Sequence, residues 1–174
     1  MKNSFIRKRL IPAGVVVAAG LVTALGNGGQ ALAADDSETV RVDVIVGVGI
    51  TLNLDRNDIQ LIGGPGQTVA NGQPVSATVV TNNPTGYTLS VQSDRAELTP
   101  QGGGAGRIPI ANLTVQAGGG SFEVISDTAP TVIHTDPDAS ALNGDTIVTT
   151  YRVVIPAVPN DTYQAIITYT ATTT

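Results

Sequence analysis

The sequence predicts an all-β fold, an antiparallel β-sandwich of about 8–10 strands, behind an N-terminal leader. Three observations predict it. Past residue 34 the chain is dominated by Thr, Val and Ile, β-branched side chains that suit a pleated sheet. Apolar and polar residues alternate with a period of two in several stretches. Clusters of Gly, Pro, Asn and Asp interrupt them every ~8–12 residues, the punctuation of a sandwich or barrel. No helical period is visible past the leader.

The leader comes first. Lys2, Arg7, Lys8 and Arg9 form a basic start, residues 10–25 are uncharged and mostly apolar, and Ala31-Leu32-Ala33 is a small-x-small cleavage signal. That order is a secretory signal peptide, residues 1–33, cut between Ala33 and Ala34. Its apolar run is shorter than the ~20 residues that cross a bilayer. A short extension, 34–39, then leads into the sandwich domain, 40–174.

Val40, Val42, Val44 and Val46 alternate with Arg41 and Asp43, which predicts a strand with one buried face. Gly47 and Gly49 mark a bend, after which Val48, Ile50, Leu52 and Leu54 resume the pattern. Ile59, Leu61 and Ile62 predict a short strand closed by Gly63-Gly64-Pro65-Gly66. Residues 75–81 and 87–93 alternate on either side of Asn82-Asn83-Pro84-Thr85-Gly86, which predicts an antiparallel hairpin. The glycine triplets at 102–104 and 118–120 predict mobile loops. Phe122 with Val124, and Val132 with Ile133, predict two short strands. Residues 147–155 predict a long strand with Ile147, Thr149, Tyr151, Val153 and Ile155 on one face. Residues 163–171 predict a final strand with Tyr163, Ala165, Ile167, Tyr169 and Ala171 on one face and Ile166 on the other. Pro159-Asn160-Asp161 supplies a turn from which Tyr163 can bond back to the chain, a tyrosine corner.

Charge and composition exclude whole classes of function. There is no cysteine, so disulfides, thiol catalysis and thiolate metal sites are excluded. All 14 acidic residues lie past residue 34, but only five of the nine basic ones do, namely Arg41, Arg56, Arg95, Arg107 and Arg152. The mature part thus has no lysine, which excludes Schiff-base chemistry and lysine isopeptide crosslinks. Its acidity repels nucleic acid and anionic lipid. No second long apolar segment follows the leader, so no transmembrane anchor is expected in the mature chain.

Candidate sites are few. His134 stands near Asp136, but no nucleophile motif accompanies it, and a triad needs a positioned base and an orienting acid. Five aromatic rings, most on apolar strand faces, do not suggest a sugar-cleaving cleft. Two acidic turn clusters offer hard oxygen ligands for calcium: Asp136, Asp138, Asn143 and Asp145, and secondarily Asp55, Asn57 and Asp58. Neither has EF-hand spacing, and Asp and Asn are ordinary turn residues. No enzyme and no obligatory cofactor are expected, with calcium the one candidate ion.

The signal peptide, the stretch 81–89 (TNNPTGYTL) and the ending 163–171 (YQAIITYTA) together resemble small exported surface proteins of Gram-positive bacteria. The layout is similar to that of WxL-domain proteins, which end in a comparable Tyr-led, Thr-rich strand. This chain has no Trp, so the Trp-x-Leu signatures are missing and peptidoglycan binding through them does not carry over. The resemblance implies an immunoglobulin-like antiparallel β-sandwich located outside the membrane, associated non-covalently with the cell wall. The expected function is a non-enzymatic secreted or cell-wall-associated structural or interaction protein. Its expected partner is a cell-envelope component, another surface protein or the protein itself. Two further readings are a subunit of a surface fibre or pilus assembled by strand pairing, and a carbohydrate-binding module.

Overall fold

Alternation of β-branched and polar residues gives short antiparallel strands from Ile50 onwards, seen here in a computed structural model that describes residues 36–174. The expected leader and its cleavage point lie outside the described residues. Residues 36–43 carry no regular secondary structure and are exposed, with Arg41 and Asp43 paired at 2.9 Å. The compact unit begins at Val44. Its strands are β1 (Ile50–Leu54), β2 (Thr68–Ala70), β3 (Val75–Thr81), β4 (Tyr87–Ser93), β5 (Glu97–Pro100) and β6 (Ile108–Pro109). There follow β7 (Leu113–Ala117), β8 (Glu123–Val124), β9 (Thr131–Asp136), β10 (Asp145–Val154), β11 (Tyr163–Gln164) and β12 (Ile167–Thr173). One 3-10 turn, Ile110–Asn112, separates β6 from β7.

The larger sheet runs β1-β3-β10-β7-β8, with β2 also on β10. The opposing sheet runs β12-β4-β9, and a small third sheet runs β11-β5-β6. All pairings are antiparallel. Inward residues of both large sheets meet in two clusters, both touched by Ile133 and Tyr169: Val75, Val115, Tyr151 and Val153 with Val91, and Ala77, Val79 and Ile147 with Tyr87 and Leu89. The fold is thus the antiparallel β-sandwich that the period-two pattern predicts.

The predicted hairpin is corrected. Its two strands have the expected bounds, but they do not pair with each other. β3 bonds to β1 and β10 in one sheet, and β4 bonds to β12 and β9 in the other. Residues 82–86 form an arch that carries the chain between sheets. The cause is local. Asn83 Nδ2 donates to Gly86 O at 2.7 Å and to Thr174 O at 3.1 Å, and Thr85 Oγ1 donates to Thr174 O at 2.6 Å. The turn is thereby fixed to the end of β12 rather than to a two-residue hairpin loop.

Three other strands differ from expectation. Residues 40–46 form no strand and have no buried face, because no neighbouring strand is present to take their hydrogen bonds. Ile59 and Leu61 pack on the core from a loop, while Ile62 is exposed, so the strand expected there is a core-covering loop. The single final strand divides into β11 and β12, which join different sheets.

Asp94 makes that division. Its backbone N–H donates to Ile166 O, and its carboxylate accepts the Ile166 N–H, both at 2.9 Å. The Arg95 guanidinium, and then the Ile166 N–H, hold the Asp94 carboxyl below its ordinary value of 3.8. The stability from this lowering is complete above pH 3.8 and is lost as pH falls through the lower folded value.

The tyrosine corner is present. Tyr163 Oη donates to Pro159 O at 2.8 Å. Tyr163→Phe keeps the ring and removes this bond, so urea melts are expected to show a loss of about 1 kcal/mol. An unchanged midpoint would mean that water replaces the bond at no cost.

Candidate functional site

The feature that stands out is the segment 40–48. In a strand, residues i and i+2 share a face, so Val40, Val42, Val44, Val46 and Val48 form one apolar stripe. Arg41, Asp43, Ile45 and Gly47 form the other face. The apolar residues of the segment are 64–94% exposed. Large contiguous apolar surface on a folded protein marks a place of contact.

Its root is tightly held. Gly49 N–H donates to Asn82 Oδ1 at 2.7 Å, and Asn82 Nδ2 donates to Gly47 O at 2.9 Å. Thr81 Oγ1 donates to Gly49 O at 2.7 Å. These bonds continue the β1–β3 register beyond Ile50, which lies opposite Thr81. A shallow cleft of about 330 Å³ opens at this root, between Gly47, Gly49 and Ile50 on one side and Val80 and Asn82 on the other.

One flank of the sandwich is incompletely covered. Ile50 and Leu52 of β1, and Ile167, Tyr169 and Ala171 of β12, are half-buried, whereas Ala77, Val79 and Leu89 are fully buried. β1 lies against β12 at this flank, and each is the last strand of its sheet. Beneath it, Tyr151 Oη donates to Tyr169 Oη at 2.6 Å, and Thr149 Oγ1 and Tyr169 Oη are 2.7 Å apart. Thr149 Oγ1 also reaches Val75 O at 3.0 Å. Burial first, and then each other's proximity, push the Tyr151 hydroxyl far up, and burial raises Tyr169, so both stay neutral hydrogen-bonding groups.

The acidic clusters are engaged in holding turns. Asp136 Oδ1 accepts the Asp138 N–H at 3.0 Å, and Asp145 Oδ1 accepts the Ala141 N–H at 3.1 Å. Asp145 Oδ2 accepts from the Tyr87 hydroxyl at 3.1 Å, and burial, followed by the Asp145 charge, raises that hydroxyl far above its ordinary value. Asp138 and Asn143 are exposed on the same loop. In the other cluster Asp55 Oδ1 accepts the Ser76 N–H at 2.8 Å, and Asp55 Oδ2 pairs with Arg56 at 3.2 Å. Asn57 and Asp58 are exposed beside it. Among the described residues no three His, Cys, Asp or Glu side chains form a group that could hold a metal ion. His134 is half-buried, its ring 5.9 Å from that of Tyr87.

The aromatic rings are largely committed to packing. Tyr87 and Tyr151 are buried, Tyr163 and Tyr169 pack on the core, and the Arg152 guanidinium stacks 3.9 Å above Phe122. No helix among the described residues is long and apolar enough to cross a membrane. No protein-family model matches the chain, and no curated protein matches it.

Proposed function

We propose that the protein is an exported, non-enzymatic structural or interaction module of the cell envelope. The observation that carries this reading is the apolar face of segment 40–48, presented to solvent from a sandwich body. An exposed segment with this alternation can be taken up as a strand at a sheet edge, its backbone supplying hydrogen bonds and its alternate side chains contact. The basic, apolar and small-residue order of positions 1–33 supports export. The acidity of the rest of the chain favours protein or wall contacts over anionic lipid.

The experiment is cell fractionation with N-terminal sequencing. The protein is expected in the wall fraction or culture fluid with Ala34 as its first residue; an intact Met1 there would overturn the export reading. Deleting residues 40–46, which leaves the root at Gly47 in place, is expected to move the protein from wall to medium with an unchanged melting temperature. An unchanged distribution would remove the segment from the function.

A second reading, a fibre subunit assembled by strand pairing, is favoured by β12. This edge strand has seven residues, no charge and no proline. Edge strands of proteins that stay monomeric commonly carry such guards.

A further inference from the structure

We infer that segment 40–48 of one copy adds to the free edge of β12 in a second copy, antiparallel to it, and that repetition of this contact builds a head-to-tail fibre. This rests on the fibre-subunit reading and names its donor, its acceptor and its register.

Direction is the first argument. β1 runs away from the arch 82–86, and β12 runs towards it, ending opposite Tyr87. The segment precedes β1 and leaves the body at the arch. If the next copy is stacked beyond the arch by simple translation, the segment runs down its flank against the direction of β12. That is an antiparallel pair, the more favourable kind. In its own chain the segment would have to reverse at Gly47 and Gly49, which Asn82 holds, and would then lie parallel to β12.

Chemistry is the second. Nine residues cover the seven of β12. Placing Val48 opposite Ile167 puts Val46 opposite Tyr169, Val44 opposite Ala171 and Val42 opposite Thr173. In this register Val42, Val44, Val46 and Val48 face the half-buried flank of Ile50, Leu52, Tyr169 and Ala171, and close it. Ile45 and Asp43 then face outwards beside Thr170 and Thr172, where there is no carboxylate on β12 to repel Asp43. A one-residue slip would turn the valines to solvent, so the register is strongly specified. A contact between two different surfaces, repeated by translation, does not close and grows as a filament.

The chain lacks cysteine, which makes a direct test simple. In the processed protein purified from the medium, the doubly substituted Ile45→Cys/Thr170→Cys chain is expected to oxidise into a ladder of dimers, trimers and higher species. Mixed single variants, Ile45→Cys with Thr170→Cys, are expected to stop at dimers. Val44→Asp is expected to reduce multimers at least about tenfold in size-exclusion chromatography, since a carboxylate would be buried on pairing. Its melting temperature as a monomer should not change, because Val44 is 81% exposed. Multimers that form without the 45–170 link would overturn this pairing and leave the fibre reading standing. A protein that is monomeric at every concentration would overturn both. A closed monomeric disulfide would place the segment on its own chain, and co-sedimentation of monomers with lipid vesicles would make its partner a membrane; either overturns the proposal.

Discussion

Replacing Gly86 with alanine is expected to cost about 3 kcal/mol or more, and to abolish or sharply lower the melting transition. Two effects add. Gly86 has φ of +86°, a conformation in which a side chain costs about 1–2 kcal/mol. A methyl group at this position would also overlap the carbonyl oxygen of Asp136 and lie 2.6 Å from the carbonyl carbon of Pro137. Both are backbone atoms that cannot swing aside. Gly66 separates the two effects, because its φ is +77° but nothing lies within 4 Å of the added carbon. Gly66→Ala is therefore expected to cost only the conformational part. Equal losses in the two variants, measured by urea melts, would mean that the 136–137 backbone moves freely and that the arch is not rigid.

Leu89→Ala is the second large effect, expected at about 3–5 kcal/mol. Leu89 is fully buried in β4, the central strand of the smaller sheet, and packs with Val79, Tyr87 and Ile147. No neighbour can collapse into the space without leaving its own contacts. A loss of that size is a large share of the ~5–15 kcal/mol that holds a domain together. Ile167→Ala, on the half-buried face of edge strand β12, is expected to cost about 1–2 kcal/mol, and the exposed Thr168→Ala less than about 0.5. If Thr168→Ala matched Ile167→Ala, the register of β12 against β4 would be wrong by one residue.

In β3 and β4 local alternation gives the strand bounds, and in β10 it gives the buried face. Residues 75–81, 87–93 and the inward set Ile147, Thr149, Tyr151 and Val153 occur in the sequence as they occur in the fold. Partnership was not legible in the same way. Nothing in Asn82-Asn83-Pro84-Thr85-Gly86 says whether the next strand turns back beside the last or crosses to the other sheet. That choice is made by Asn83 and Thr85 meeting Thr174, a contact between residues far apart in the chain. The valine stripe of 40–48 poses the same difficulty in a sharper form. Alternation states that a face wants cover; it does not state which chain provides it. The alternation at residues 40–46 is real, but the segment forms no strand in this body. Burial, together with the adjoining half-open flank, is what distinguishes it. The acidic turns were visible as clusters, but their carboxylates being taken up by nearby N–H groups depends on loop geometry that spacing alone does not specify.

The bond from Asn83 to Thr174 spans 91 residues of chain, and β4 finds both of its neighbours only in strands made later. This has a kinetic consequence. Contacts that are distant in sequence must wait for loop closure, and folds dominated by them form slowly. As the chain emerges from its N-terminal end, β3 and β4 appear early but lack β10, β9 and β12, so no stable fragment can condense around them. The arch can lock only once the last strand is free to meet it.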